Sequence, residues 1–353
     1  MTSQHRVLEP GRLARAKRAF TTRRVALERG RLLIEAGTRP MPGDLVLARV
    51  EAVGAHKQLQ LHTGRAANLF PGDEVLLAAG ARYAPDQFEA YVAEALGACD
   101  LVAAGGICGT VVARSDRMAE PTRLTALGLV ADATGRILNL ADFRLHPPPA
   151  TRRVPTLAVL GTSMNAGKTT AAAHLVRGLA LSGLRVGAAK VTGTGAPGDL
   201  NLMTDAGAAC VLDFTDAGHA TTFLVDQPAL EEILRALGDA LIAAGAQAIV
   251  LEVADGLYQR ETAALAGSPT FATRVDTTLF AAGDAMGAAN GVRELVTRGL
   301  PVAAVTGLLT RSPLARREAQ AATGLPVLAP AELAAAGILD RLLSGPALLE
   351  SAA

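Results

Sequence analysis

The sequence predicts an α/β protein with a mostly parallel sheet, preceded by a smaller, mainly β domain. Three observations carry that expectation. From about residue 155 onward, apolar runs of strand length alternate with helical patterns, the arrangement that builds a parallel sheet with right-handed crossovers. Before residue 145 the apolar runs are short, and turn signals such as Pro42-Gly43-Asp44 and Pro71-Gly72-Asp73 separate them. Between the two regimes lies His146-Pro147-Pro148-Pro149 with Pro155, a stretch that proline stiffens into an extended spacer. The chain is thus expected to divide into a basic N-terminal helix or arm (1–30), a small β-rich domain (31–145), a proline-rich linker (146–155) and a larger α/β domain (156–353).

At 353 residues the chain is long enough for two domains with sizeable cores. Half of it is hydrophobic but only 3% is aromatic, so the interior must be built mainly of Ala, Leu and Val. A net charge of +1 gives no global reason to expect nucleic acid or an anionic membrane as partner. Cys99, Cys108 and Cys210 lack metal-ligand or redox spacing and read as buried thiols. No apolar run approaches the ~20 residues of a spanning helix, and the basic N-terminus lacks the apolar core of a secretory signal. A cytoplasmic protein that does not enter a membrane is expected.

In residues 1–30, Leu13, Ala16 and Phe20 have helical spacing, and Gly30 could stop such a helix. Arg6, Arg12, Arg15, Lys17, Arg18, Arg23 and Arg24 make the segment basic. The absence of interleaved aromatics favours a solvated or partner-packed helix over a nucleic-acid arm. Strands are then expected at 45–50, 58–61, 74–77, 109–113, 125–130 and 137–140, giving a mainly antiparallel, barrel-like domain. The segment 82–91 concentrates two of the three tyrosines and reads as an ordered loop.

The α/β domain opens on Leu157-Ala158-Val159-Leu160-Gly161-Thr162-Ser163-Met164-Asn165-Ala166-Gly167-Lys168-Thr169-Thr170. A buried strand ends at glycine, a loop of small residues follows, and Gly-Lys-Thr-Thr opens a helix. That context makes the segment a phosphate loop. Backbone N–H groups around Ala166 and Gly167 can face a polyphosphate, and the helix N-terminus adds partial positive charge. Lys168 would reach the β- and γ-phosphates, and the Thr169 hydroxyl would ligate Mg²⁺. Gly161, Thr162, Asn165, Ala166, Gly167, Lys168, Thr169 and Thr170 are the expected nucleotide-binding residues.

Only four lysines occur, Lys17, Lys57, Lys168 and Lys190, against a background of arginine. Lys190 ends the second strand of the α/β domain, where ligands of open parallel sheets bind. A third strand ends at Asp213, and an amphipathic helix over 229–244 feeds a strand, 248–251, that ends at Glu252. A strand-end carboxylate beside a phosphate loop can bind Mg²⁺ directly or through water. Asp255 and Gly256 then form a tight turn. Further carboxylates, Asp199, Asp205 and Asp213, offer a third metal contact, and spacing does not choose among them. His174 reads as a packed helix residue and His219 as a loop residue nearer to substrate. Further strands are expected at 277–281 and 302–305, and a short one at 327–328.

Gly161-Thr162 with Gly167-Lys168-Thr169, then Lys190-Val191-Thr192-Gly193, then Glu252 with its glycine turn, resemble the dethiobiotin synthetase and cobyrinic acid a,c-diamide synthase branch of P-loop NTPases. Gly287-Ala288-Ala289-Asn290 and Val305-Thr306-Gly307 are similar to the same branch, and the resemblance covers about residues 155–330. It implies a P-loop NTPase fold, Mg²⁺ held by Thr169, Glu252 and Asp199, a phosphate- and substrate-binding role for Lys190, and a homodimer. A looser resemblance links the α/β domain to the C-terminal domain of a family associated with D-glutamate N-acylation. The chain departs from the first branch at Val191-Thr192 and at Val253-Ala254-Asp255, and it has no asparagine directly after Gly307, so substrate and base stay open.

The expected function is therefore a Mg²⁺-dependent enzyme that uses ATP, with GTP as the alternative, to activate a small-molecule carboxylate or amine by phosphoryl transfer. Lys168, Lys190 and Glu252 would carry the chemistry. The rival is a nucleotide-dependent switch or cofactor-insertion NTPase, in which hydrolysis drives partner binding and the β domain is the docking surface.

Overall fold

The structure, a computed structural model, describes residues 5–344; residues 1–4 and 345–353, at the outer ends of the first and last expected segments, lie outside the described residues. The chain forms two compact units. Unit 1 comprises Met1–Leu145, Thr194–Pro197 and Phe214–Leu224, and unit 2 comprises His146–Gly193, Gly198–Asp213 and Val225–Ala353. The chain leaves unit 1 at Leu145 and returns to it twice, where the sequence suggests one boundary near residue 150.

Five strands of unit 1 close into a ring. They are β1 (Leu45–Ala52), β2 (Glu74–Ala79), β3 (Ala98–Ala103), β4 (Ile107–Arg114) and β5 (Thr122–Ala131). β5 pairs with β1, β1 with β2, β2 with β4, β4 with β3, and β3 with β5 again. Only the β2–β4 pair is parallel within this ring. Val46, Ala48 and Val50 enter one apolar cluster and Leu45 and Leu47 another, as do Val75 and Leu77 against Leu76 and Ala78. Both faces are covered, which is why these runs read as continuous apolar segments rather than alternating ones.

Four features of unit 1 differ from the sequence expectation. The segment 82–91, expected as an ordered loop, is a hairpin: Arg82–Tyr83 pairs antiparallel with Phe88–Tyr91, which pairs in turn with β4. β3 is not expected, because Asp100 interrupts its apolar pattern; the carboxylate is buried and accepts from Val111 N and the Arg123 guanidinium at 3.0 and 2.8 Å. The strand expected over 137–140 is reduced to a bridge between Ala131 and Ile137. Asn139 instead caps a 3₁₀ turn, Leu140–Phe143, through the Ala141 N–H at 3.0 Å. The basic N-terminal segment forms no long helix: it has one α-helical turn, Arg12–Arg15, flanked by strand pairing, and two 3₁₀ turns, Phe20–Thr22 and Leu27–Arg29. Its guanidinium groups are consumed internally: Arg12 binds Glu74 at 2.6 and 3.0 Å, and Arg18 donates to the carbonyls of Thr22, Arg23 and Val25.

His56 of unit 1 is held neutral. Its Nδ1–H donates to Leu101 O at 3.1 Å, its Nε2 faces the Arg82 guanidinium at 3.4 Å, and its ring lies 5.6 Å from that of Phe88. Burial first, and the Arg82 charge second, bring its pKa down to about 4. Between that value and the ordinary pKa near 6.5 the unfolded chain binds the extra proton, so stability falls as pH falls through this window. We expect a loss of up to about 3 kcal/mol between pH 7 and pH 4 from this group. Urea unfolding at pH 7.5, 6 and 5 measures it, and His56→Gln should flatten the pH slope. An unaltered slope in the variant would show that other groups carry it.

Six strands of unit 2 form one parallel sheet. They are β6 (Thr156–Gly161), β7 (Val186–Lys190), β8 (Cys210–Asp213), β9 (Ala248–Glu252), β10 (Thr277–Ala281) and β11 (Val302–Thr306), in the order β8-β7-β9-β6-β10-β11. The helices between them are α1 (Lys168–Leu181), α2 (Gly198–Asp205), α3 (Gln227–Ala243), α4 (Arg260–Ala266), α5 (Pro269–Arg274) and α6 (Ala285–Thr297), and α7 (Pro313–Thr323) follows β11. Such crossovers are what parallel pairing requires. Leu157, Val159, Val250 and Leu279 are completely or almost completely buried, as expected of a sheet covered on both faces. α3 shows the logic of the helices: Asp226 caps it through Ala229 N, Pro228 sits in its first turn, and Leu230, Ile233, Leu234, Leu237 and Leu241 make its buried stripe. Val327 makes only a parallel bridge to Val305. Among the described residues no helix is long and apolar enough to cross a membrane.

Candidate functional site

The loop between β6 and α1 is shaped by two left-handed residues, Asn165 at φ 64° and Gly167 at φ 100°. Glycine enters that region without strain, and a Cβ on Gly167 would also stand 3.1 Å from Gly307 Cα. Gly167 begins α1, and no side chain caps the helix there. The contrast with the later helices is informative. Asp226, Gln259, Ser268, Asp284 and Ser312 cap α3, α4, α5, α6 and α7. α1 alone of these six leaves its first-turn N–H groups to an outside acceptor.

Lys168 is buried and its ammonium donates to Ser163 O at 2.7 Å. Burial pulls its pKa down, offset in part by Glu252 and Asp255. The cation thus rests on a neutral carbonyl, and a phosphate oxygen would replace that bond with a stronger, charge-assisted one.

Thr169 Oγ1 donates to Glu252 Oε1 at 2.8 Å. The other carboxylate oxygen, Oε2, is buried with no hydrogen-bond partner. Burial, followed by repulsion from Asp199, raises the Glu252 carboxyl to about 7 against the pull of Lys190, the Thr169 hydroxyl and Lys168. Lys190 forms an ion pair with Asp199. Burial would lower its pKa, yet Asp199 and then Glu252 hold it above the ordinary lysine value.

Strand register explains why these groups meet. Glu252 is opposite Val159 on one side and Lys190 on the other, and Lys190 is opposite Asp213. Asp213, Lys190 and Glu252 therefore form a row across β8, β7 and β9 at their carboxyl ends. Asp199 joins them from the first turn of α2. Asp205 does not: it is exposed at the last residue of α2, about 9 Å along the helix from Asp199. His174 is spent within α1, its Nδ1 lying 2.8 Å from Thr170 O. His219 belongs to unit 1.

The residues that open the loop are fixed from two sides. Thr162 N donates to Ala281 O, and Leu257 N to Gly161 O, each at 3.0 Å. Asp255 is left-handed at φ 63°, and a Cβ on Gly256 would come within 2.4 Å of Thr162 O. The glycine turn after Glu252 is thus pressed against the loop, and glycine alone fits the approach.

After β11 the sequence singles out Gly307 but none of Leu308, Thr310, Arg311 or Pro330. Leu308 N donates to Ala166 O at 3.0 Å. Beside this contact, Thr170, Gly307, Leu308, Thr310, Arg311 and Pro330 line a cavity of about 190 Å³. The signal that could have found it is positional, since these residues follow the carboxyl end of another strand of the same sheet.

Among the described residues no three His, Cys, Asp or Glu side chains gather as a metal cage. Mg²⁺ bound with a nucleotide needs none, because it takes one or two protein oxygens and completes its octahedron with phosphate and water. The orphaned Glu252 Oε2 and the adjoining Thr169 hydroxyl are hard oxygen donors, so the residues present fit that ion.

No family model matches the sequence, and no curated protein matches it. Solved structures that it is similar to include the Signal Recognition Particle 54 kDa protein of Aeropyrum pernix in complex with GDP. That match has 18% identity and a TM-score of 0.37, and covers 58% of this chain and 53%, about half, of the other. The signal recognition particle receptor FtsY of Elizabethkingia anophelis is similar at 13% identity, TM-score 0.36, over 59% of this chain and 75% of that one. The cell division protein ftsY of Thermotoga maritima is similar at 14% identity, TM-score 0.36, over 58% and 73% respectively. At these identities and scores the likeness assigns no activity to this chain.

Proposed function

We propose that unit 2 binds a nucleoside triphosphate with Mg²⁺ and breaks the bond to its γ-phosphoryl group. One observation carries this reading: an uncapped helix start, the buried Lys168 and the Thr169–Glu252 pair converge on one end of one sheet. In this reading the α1 N–H groups and Lys168 bind the phosphate oxygens and stabilise the charge that grows on them. Thr169 and Glu252 would hold Mg²⁺, which would supply neutralisation of phosphate charge. Glu252, whose carboxyl is raised to about 7, would hold the ion as the carboxylate, with any proton it carries released to solvent.

Two finer readings have separate support. Lys190, held by Asp199 beside Glu252, favours transfer of the phosphoryl group to a small-molecule carboxylate or amine, because a lysine there can bridge donor and acceptor. The nucleotide switch draws on the division of the chain. The segments that follow Lys190 and Asp213, namely Thr194–Pro197 and Phe214–Leu224, belong to unit 1, so a change at either strand end is covalently continuous with it. Phosphate release from ATP and GTP, alone and with a panel of small carboxylates and amines, tests all of this. Turnover stimulated by a panel member selects transfer, and slow basal hydrolysis indifferent to the panel selects the switch. Absence of release or binding with either nucleotide overturns the proposal.

A further inference from the structure

A second cavity of unit 2, about 210 Å³ in volume, lies between α3, α5 and the sheet, away from the phosphate loop. Its floor is apolar. Leu234, Gly238 and Ile242 recur at four-residue spacing along one face of α3, and Ile249 and Leu251 are the alternate residues of β9 that share a face. Thr156 and Ile249, at the amino-terminal ends of β6 and β9, mark this as the end of the sheet opposite Gly161 and Glu252.

Gly238 is the informative residue. A mid-helix glycine is less favourable than alanine, and such a position is usually explained by a backbone packed too closely for a side chain. Here a Cβ would meet only the Arg274 guanidinium, at an ordinary contact distance of 3.4 Å. The missing side chain therefore leaves space rather than permitting close approach.

The rim is cationic. Arg274 is compensated by Asp239 at 2.7 Å and Arg153 by Asp276 at 2.8 Å. Arg152 donates only to a backbone carbonyl, Ala246 O, at 2.7 Å, and has no carboxylate partner among the described residues. One exposed guanidinium without an anionic partner thus stands at the mouth of a chamber with room for about seven water-sized groups. A guanidinium fork matches a carboxylate, whereas the floor is mainly hydrocarbon, and the hydroxyls of Thr156 and Thr273 already donate to the Val154 and Thr270 carbonyls.

We propose that this cavity binds a small amphipathic monocarboxylate, with its hydrocarbon part over Ile249 and Leu251 and its carboxylate on Arg152. The site is independent of the nucleotide reading. Calorimetric titration of octanoate into the full-length protein tests it, with 1-octanol as the uncharged counterpart and inorganic phosphate as the anion without hydrocarbon. Octanoate should saturate one site, and the two controls should bind at least about tenfold more weakly. Arg152→Gln should weaken octanoate by about tenfold or more, the loss of one charge-assisted bond. Gly238→Leu, which fills the chamber, should abolish it while nucleotide binding is retained. Lys168→Ala should bind octanoate as the parent does, so that failure of one site is distinguishable from failure of the other. No saturable heat, equal binding of octanol, or parent-like octanoate binding in both Arg152→Gln and Gly238→Leu overturns the assignment.

Discussion

Lys168→Ala is expected to lower nucleotide turnover by about 10²–10³-fold, the usual loss when one pre-positioned donor to developing charge is removed. The expectation rests on where the ammonium stands. It is buried against Ser163 O at the start of an uncapped helix, so water cannot substitute for it. Lys168→Arg should recover little, because a wide planar fork does not fit where a compact ammonium is enclosed by the loop. Single-turnover phosphate release and calorimetric nucleotide binding separate loss of chemistry from loss of affinity. Turnover at the parent rate in the alanine variant would remove the phosphate loop from any account of activity.

The second large effect belongs to Glu252. In Glu252→Gln the amide can still accept the Thr169 hydroxyl, but it carries no charge and places a neutral group where the orphaned Oε2 stands. Turnover should fall by about 10²-fold, and the Mg²⁺ concentration for half-maximal rate should rise by about 10–100-fold. Thr169→Val should act in the same direction. Because the two groups share one hydrogen bond, the double variant should be little worse than the more damaged single one. Additive losses, or a Mg²⁺ requirement unmoved in both single variants, would mean that the pair does not hold the ion.

The strand, turn and helix around Gly167 were legible because their pattern is local: Gly-Lys-Thr-Thr after an apolar run specifies all three. Lys190 and Glu252 could be singled out because a parallel sheet puts strand ends on one side, and the register then brings them opposite each other. Asp199 could not be separated from Asp205 by spacing, whereas the first and last residues of one short helix point to different surroundings. Nothing local marks Arg311 or Pro330, whose place beside the loop comes from the strand order. β3 was hidden because a buried aspartate with two partners reads, in sequence, as a solvated one.

Least legible of all was the return of Thr194–Pro197 and Phe214–Leu224 to unit 1. These short stretches carry no change of composition. They are held by tertiary groups, including the Arg23–Asp216 ion pair at 2.6 Å and the packing of Phe223 on Tyr83 and Tyr91 at 5.7 and 6.1 Å.

That return has a consequence for biogenesis. A leading domain ordinarily completes itself while the ribosome is still making the next one. Here the barrel-bearing unit must wait until Leu224 has emerged, by which time three strands of the other sheet have already been synthesised. A chain cut at the proline spacer would strip the first piece of Asp216 and Phe223, and would leave the second carrying two stretches, Thr194–Pro197 and Phe214–Leu224, without the rest of the unit they belong to.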